Sequence, residues 1–496
     1  MMESGGVHRS EMGKIAHAVR KYPSLFVVFT VYKTFAVVLF MEGFLFPGTF
    51  QLGGYTLPTL VLFILMCAGV CLFFAFRFKK VQVFDKNGYL WFLVVSMTLG
   101  VFFLFMETHA GISNDTLRLV TLGLGIASLG VGLMGIHIEL GRLFGMLGMT
   151  PTLTYGIASA LATAVLATGI ALLPSTAVWV LMFVFPALTV LAFFFAKQRA
   201  FPDQKVLYRQ STNELLIPYR FMATSLTQGL ALGIPLGFLS FSGFFGQFLD
   251  SAGYFFAALL AFLVVLVLQM DFNRSVYQIG FPLAGLGLLS VGAFAGMPAI
   301  AAVLQLAAFL YLDLVLWGLG SYLIKNNDQP ATWVASCPST ALMTGRALGI
   351  VIGSIALQSL PNAEQTTLFF AAAAFLVMLA GLLLSNSANL KTGWGFVRPG
   401  DPRGATDVYR TCEIIAQDFG LTQRELEIMH SIVAGKTRKA ISEDLFITPN
   451  TIKTHLHNLY GKLDLHSEGD LKAFVAKQEK MFSTEENVPS IPVESA

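Results

Sequence analysis

The sequence predicts an all-α protein in two unlike parts: a polytopic membrane bundle of about twelve helices, then a small four-helix domain. Three observations carry this prediction. Hydrophobic residues are 55% of the 496 and charged residues only 12%, half the charge of an ordinary globular chain. Apolar runs of about 20 residues recur from Pro23 to about Ser385, each long enough to cross a bilayer. Beyond Ser385 the apolar runs stop and charge returns.

The bundle is read as segments at about 23–46, 55–76, 89–107, 116–137, 153–173, 176–196, 221–245, 252–270, 276–296, 298–324, 338–359 and 366–385. Residues 1–22 are polar and basic, and the first apolar run is too long for a signal-peptide core. The connections after segments 2, 4, 6, 8 and 10 carry Arg77, Arg142, Lys197, Arg199, Arg274 and Lys325, among others. The alternate connections carry no Lys or Arg. Basic loops stay on the cytoplasmic side, so both termini are expected there, in a cytoplasmic (inner) membrane. The longest internal loop, about 197–220, separates halves 23–196 and 221–385.

Two six-helix halves joined by a basic loop resemble the major facilitator superfamily, whose halves are related by an axis along the membrane normal. The superfamily's usual glycine- and arginine-rich signature between segments 2 and 3 is absent from Arg77 to Gly88. In such folds segments 1, 4, 7 and 10 line a central cavity, which the resemblance would extend to Gln228 and Gln305.

Charge inside a bilayer is costly and commonly functional. Lys33, Asp313 and Arg346 lie about eight to eleven residues inside their segments, at similar depths of roughly 12–16 Å. They form, with Gln228 and Gln305, the candidate ligand site, with Glu42 and Arg118 as an outer layer. The structural alternative has Asp313 neutralising Arg346 to join two helices. Four cysteines make no CxxC pair, and neither a metal site, a cofactor nor a catalytic constellation is expected. Cys67 and Cys71 share a helix face and read as packing residues.

Residues 386–411 read as a linker, 412–480 as a folded domain and 481–496 as a disordered tail. A flexible linker of that length spans roughly 25–30 Å. Thr422 with Glu425 three residues on makes a capping box. Leu426, Met429 and Ile432 form its helix's apolar stripe, and Gly435 stops it. A second helix, about Arg438–Leu445, precedes Thr448 as N-cap and Pro449 at the first turn of a third. On that third helix Ile452, Leu456, Leu459 and Leu463 face a core.

The opposite face shows Asn450, Lys453, Thr454, His457, Asn458 and Gly461. These groups suit the major groove, where Asn and Lys read base edges and glycine permits close approach. Lys436, Arg438, Lys439 and Lys462 flank the face as candidate phosphate anchors. Composition alone leaves an ordinary solvated face as the alternative.

The order Leu421-Thr-x-Arg-Glu425, Gly435, Lys439-x-Ile441, Leu445-x-Ile447-Thr-Pro449, Thr451-Ile-Lys-Thr-His455-Leu456 and Lys462-Leu463 closely resembles the LuxR-type helix-turn-helix of bacterial transcription factors. The resemblance implies that Lys453, Thr454 and His457 face bases, and that a fourth helix, about Glu468–Gln478, dimerises. Ala440 stands where that family usually has Glu. The implied partners are double-stranded DNA, the lipid bilayer, a small-molecule ligand and a second copy. The function this predicts is a one-component membrane regulator; the alternative is a transporter with a regulatory tail.

Overall fold

The computed structural model describes residues 15, 19–40, 45–77, 87–110, 114–202, 207–208, 219–239, 248–293, 298–326, 330–360, 362–385, 411–412, 415–416, 418–433, 435–445 and 447–485, without the side chains of 248, 298, 439, 443 and 479–485. The chain forms two compact units, residues 1–386 and 387–496. The expected linker lies almost wholly outside the described residues, as do Glu42 and most of the first 22.

The first unit holds α1 (Pro23–Phe40), α2 (Leu60–Arg77), α3 (Asn87–His109), α4 (Asp115–Leu147), α5 (Met149–Ala171) and α6 (Ser175–Ala200) in its first half. The second half holds α7 (Tyr219–Leu239), α8 (Phe248–Ala261, continued by a π turn to Val267), α9 (a π turn from Arg274, then Phe281–Ala293), α10 (Pro298–Asn326), α11 (Ala331–Ser359) and α12 (Ala363–Leu384). Eleven of these are long and apolar enough to cross a membrane, and α1 is a shorter apolar helix. Large apolar side chains such as Trp91, Val165 and Leu382 stay exposed on the bundle's surface. Such a surface is satisfied by lipid rather than by water, and the protein is a multi-pass membrane protein.

Three features depart from the sequence reading. Residues 55–58, expected at the start of the second segment, instead pair as β2 (Tyr55–Pro58) with β1 (Thr49–Leu52) in an antiparallel hairpin. Gly53 and Gly54, with φ of +59° and +86°, supply the two-residue turn that twisted strands favour. α4 runs ten residues past the expected end at 137, so Arg142 is helical and buried rather than in a loop. α11 starts at Ala331, not Pro338, and carries that proline inside; neighbouring helices let membrane helices tolerate it.

α7 and α11 pack with their backbones in contact. Gly229, Gly233 and Gly237 on one helix face Gly345, Gly349 and Gly353 on the other, each series one residue in four. A Cβ at Gly229, Gly233 or Gly237 would enter the carbonyls of Leu342, Arg346 or Ile350. Small residues at this spacing let membrane helices approach closely, where dispersion and Cα–H contacts hold them.

The second unit builds α13 (Gln423–Val433), α14 (Arg438–Leu445), α15 (Pro449–Leu463) and α16 (Glu468–Glu485) around Cys412, Ile428, Ile432, Ile441, Leu459 and Val475. Ile428 takes the fully buried place expected of Leu426, which is only partly covered. Helix α16 runs seven residues beyond Gln478, into the stretch expected to be disordered.

Candidate ligand cavity and DNA-recognition helix

The polar residues of α1 and α10 meet inside the bundle. Lys33 Nζ donates to Asp313 Oδ2 at 2.9 Å, joining the two halves. Asp313 therefore pairs with Lys33 and not with Arg346, which replaces the structural alternative drawn from sequence. The ammonium also lies 5.0 Å from the Phe29 ring centre and 6.0 Å from that of Trp317, a favourable site for a cation.

A cavity of about 140 Å³ opens beside this pair, and Lys33, Asp313, Arg346, Asp250, Tyr254 and His137 are on its wall. A second chamber of about 80 Å³ shares Asp313, His137, Trp317 and Ser339 and adds Gln228. Four of the five expected residues thus line these two adjoining chambers. Gln305 does not; it is buried between helices, its Nε2 bonded to the Ala231 carbonyl. Arg118 pairs with Glu107 at 2.7 Å, away from the cavity.

His137 is a functional candidate the sequence reading passed over. Ser339 Oγ gives its one proton to the Ala335 carbonyl at 2.7 Å, so it accepts from His137 Nε2 at 3.0 Å. With the imidazole neutral, Nδ1 then accepts from the Tyr32 hydroxyl at 2.8 Å. One directed chain, Tyr32 to His137 to Ser339, runs from α1 through α4 to α11. A lone histidine in an apolar segment carries no periodic signal, and its partners lie 105 and 202 residues away.

A second buried cluster lies at the bundle end opposite the hairpin. Arg142 donates to Glu139 at 3.4 Å and, across the halves, to Thr332 Oγ1 at 2.6 Å. Lys197 donates to the Tyr208 hydroxyl at 3.0 Å, which in turn donates to Glu139 at 3.1 Å. Arg142 and Lys197, read from sequence as loop charges, are thus buried network members.

In the second unit the capping box closes both ways: Thr422 N–H donates to Glu425 Oε2 at 2.7 Å, and Glu425 N–H to Thr422 Oγ1 at 3.4 Å. At the other end of α13, Gly435 at φ +79° sends its N–H to Ile432, and Lys436 N–H goes to Ser431. Both bonds are those of a Schellman stop. Thr448 caps α15 by accepting from Thr451 N–H at 3.2 Å, with Pro449 in the first turn.

Helix α15 buries Ile452, Leu456, Leu459 and Leu463 and leaves Asn450, Lys453, Thr454, His457 and Asn458 exposed. Thr454 Oγ1 meanwhile donates to the Asn450 carbonyl at 3.1 Å. The flanking cations differ. Arg438 is exposed, Lys436 pairs with Asp444 at 2.6 Å, and the Lys439 side chain is outside the described set. Lys462 binds buried Glu425 at 2.8 Å and the Gly420 carbonyl at 2.9 Å. Burial acts to raise the Glu425 carboxyl, but Lys462 and Thr422 outweigh it and hold the group below its ordinary value.

These two units define a class: membrane proteins that carry a DNA-binding module on the same chain. Residues 420–475 match the family described as bacterial regulatory proteins, luxR family, and the C-terminal domain is a LuxR-family helix-turn-helix. Over 45 residues it is 58% identical to the transcriptional regulatory protein LiaR of Bacillus subtilis (strain 168), 9% of this chain and 21% of that protein. Over 64 residues it is 41% identical to the uncharacterized response regulatory protein YgeK of Escherichia coli (strain K12), 12% of this chain and 44% of that one. The chain thus spans less than half the length of either relative. The bundle is similar to a bacterial homologue of the iron transporter ferroportin in an outward-facing state, at 15% identity and TM-score 0.51 over 74% of this chain and 99% of that one. That likeness gives the fold, of the major facilitator type.

Proposed function

We propose that the protein is a one-component transcriptional regulator of the inner membrane, with both termini in the cytoplasm. A small molecule entering the cavity between the halves shifts the bundle, and the shift controls sequence-specific DNA binding by the C-terminal domain. The observation that carries this reading is the Lys33–Asp313 pair: a cross-half ion pair on the wall of a cavity, in a chain that also carries a DNA-binding domain. Asn450, Lys453, Thr454, His457 and Asn458 meet base edges, while Lys436, Arg438 and Lys439 meet phosphates. Two copies pair through α16 on DNA.

Sequencing the DNA bound by tagged full-length protein, with and without candidate compounds, tests the reading. The expected result is a compound that changes occupancy of a defined operator, with the change lost in Asp313→Asn protein that still folds. Occupancy that no compound alters, or a full response in the variant, counts against it. The fold itself favours one second reading, a transporter with a regulatory tail. Uptake into proteoliposomes driven by the bundle alone would establish that one.

A further inference from the structure

The reading of the cavity as a ligand site leaves open what class of molecule it takes, and the wall chemistry addresses this. Among the described residues, the two basic side chains on the wall, Lys33 and Arg346, are balanced by two acidic ones, Asp250 and Asp313. The formal charge of these lining residues is therefore zero. Bringing a net charge into such a low-dielectric site is costly unless a counter-charge is waiting. Here Lys33 already has its opposite in Asp313 at 2.9 Å, and Arg346 and Asp250 share the same wall.

The pair is also asymmetric. The Lys33 side chain is 5% exposed and the Asp313 side chain 20%, and Asp313 lines both chambers. Its Oδ2 holds Lys33, and Oδ1 accepts no hydrogen bond among the described residues. The polar handle that Asp313 offers to an incoming molecule is thus an acceptor. The remaining wall is largely apolar, with Leu310, Phe309 and Met343 among its residues. A cavity of roughly 150 Å³ holds a benzene-sized body, which bounds the buried part of the ligand.

We infer that the cavity selects a small molecule without net charge, with a compact apolar body and a hydrogen-bond donor for Asp313 Oδ1. This inference rests on the cavity being the ligand site. Both can fail separately in one experiment on the full-length protein in nanodiscs. Three probes share one body and differ in charge: cyclohexylmethanol, cyclohexylmethylammonium and cyclohexanecarboxylate. Binding is read as a melting shift, with Ala36→Phe, which fills the cavity, as the control for partition into lipid.

The alcohol is expected to raise the melting temperature in wild type but not in Ala36→Phe. The two charged probes bind about tenfold or more weakly. Asp313→Asn retains an oxygen for Lys33 and leaves the lining at +1, so preference moves to the carboxylate. Arg346→Gln leaves it at −1, so preference moves to the ammonium. A wild type that prefers either charged probe, or variants that do not reorder the three, overturns electroneutral selection while keeping the cavity as the site. No probe effect that Ala36→Phe abolishes, in wild type or variants, overturns the site itself.

Discussion

Lys462 and Lys453 sit nine residues apart on one helix and do different work. Lys462 holds the buried Glu425 carboxylate, so Lys462→Ala strands an unpaired acid. It is expected to destabilise the C-terminal domain by roughly 1–3 kcal/mol, seen in thermal melting. Lys453→Ala should leave melting unchanged and weaken operator binding by about 1–3 kcal/mol with relaxed base preference. A uniform loss across sequences, with a salt slope smaller by about one, would instead mark Lys453 as a phosphate contact. Glu425 also sets a pH dependence. Its folded carboxyl lies below the ordinary value, so its contribution is complete above about pH 4.3, the unfolded value. It is lost as pH falls through the lower folded one. Glu425→Gln should flatten this acid limb of a stability–pH curve. The capping box and the apolar stripe of α15 were legible because their spacing is local. The Lys462–Glu425 pair spans 37 residues, and spacing says nothing of it.

At the scale of elements, the seam between α7 and α11 allows a sharp test. Gly233→Ala or Gly349→Ala puts a methyl into the facing backbone and should cost roughly 1–3 kcal/mol, read as a lower melting temperature of the solubilised chain. Gly69→Ala, on α2 with nothing within 4 Å of the added carbon, should be neutral or mildly stabilising, since it restricts the unfolded chain. Equal losses at all three would refute a packed seam. Helix count and order were readable because a bilayer demands length and apolarity from each span. Helix ends were not: α4 outlasts its apolar stretch because Glu139 and Arg142 bury their charges in each other and in Tyr208 and Thr332. Asp250 escaped notice for the same reason, falling between two apolar runs yet lining the cavity.

For the whole molecule, the two ends of the bundle are tied across the halves by different means. At the end with the buried charge cluster, Arg142 reaches Thr332, Thr152 meets Ser321 and Lys325 reaches the Leu147 carbonyl. Thr332→Val removes one tie and leaves the Arg142–Glu139 pair. The variant is expected to open that end more often, measured as faster labelling of cysteines introduced at the end of α4 and the start of α11; unchanged labelling would show that the tie does not set the closed state. At the other end Gln358, at the close of α11, exchanges two hydrogen bonds with the backbone of Thr56 in the hairpin, at 2.9 and 2.8 Å. Through this clasp the short stretch before α2 grips α11, along the same side where α2 and α11 pack lengthwise. One corner of the bundle is thereby pinned. Parting of the halves there must either break this clasp or swing about it like a door on its jamb.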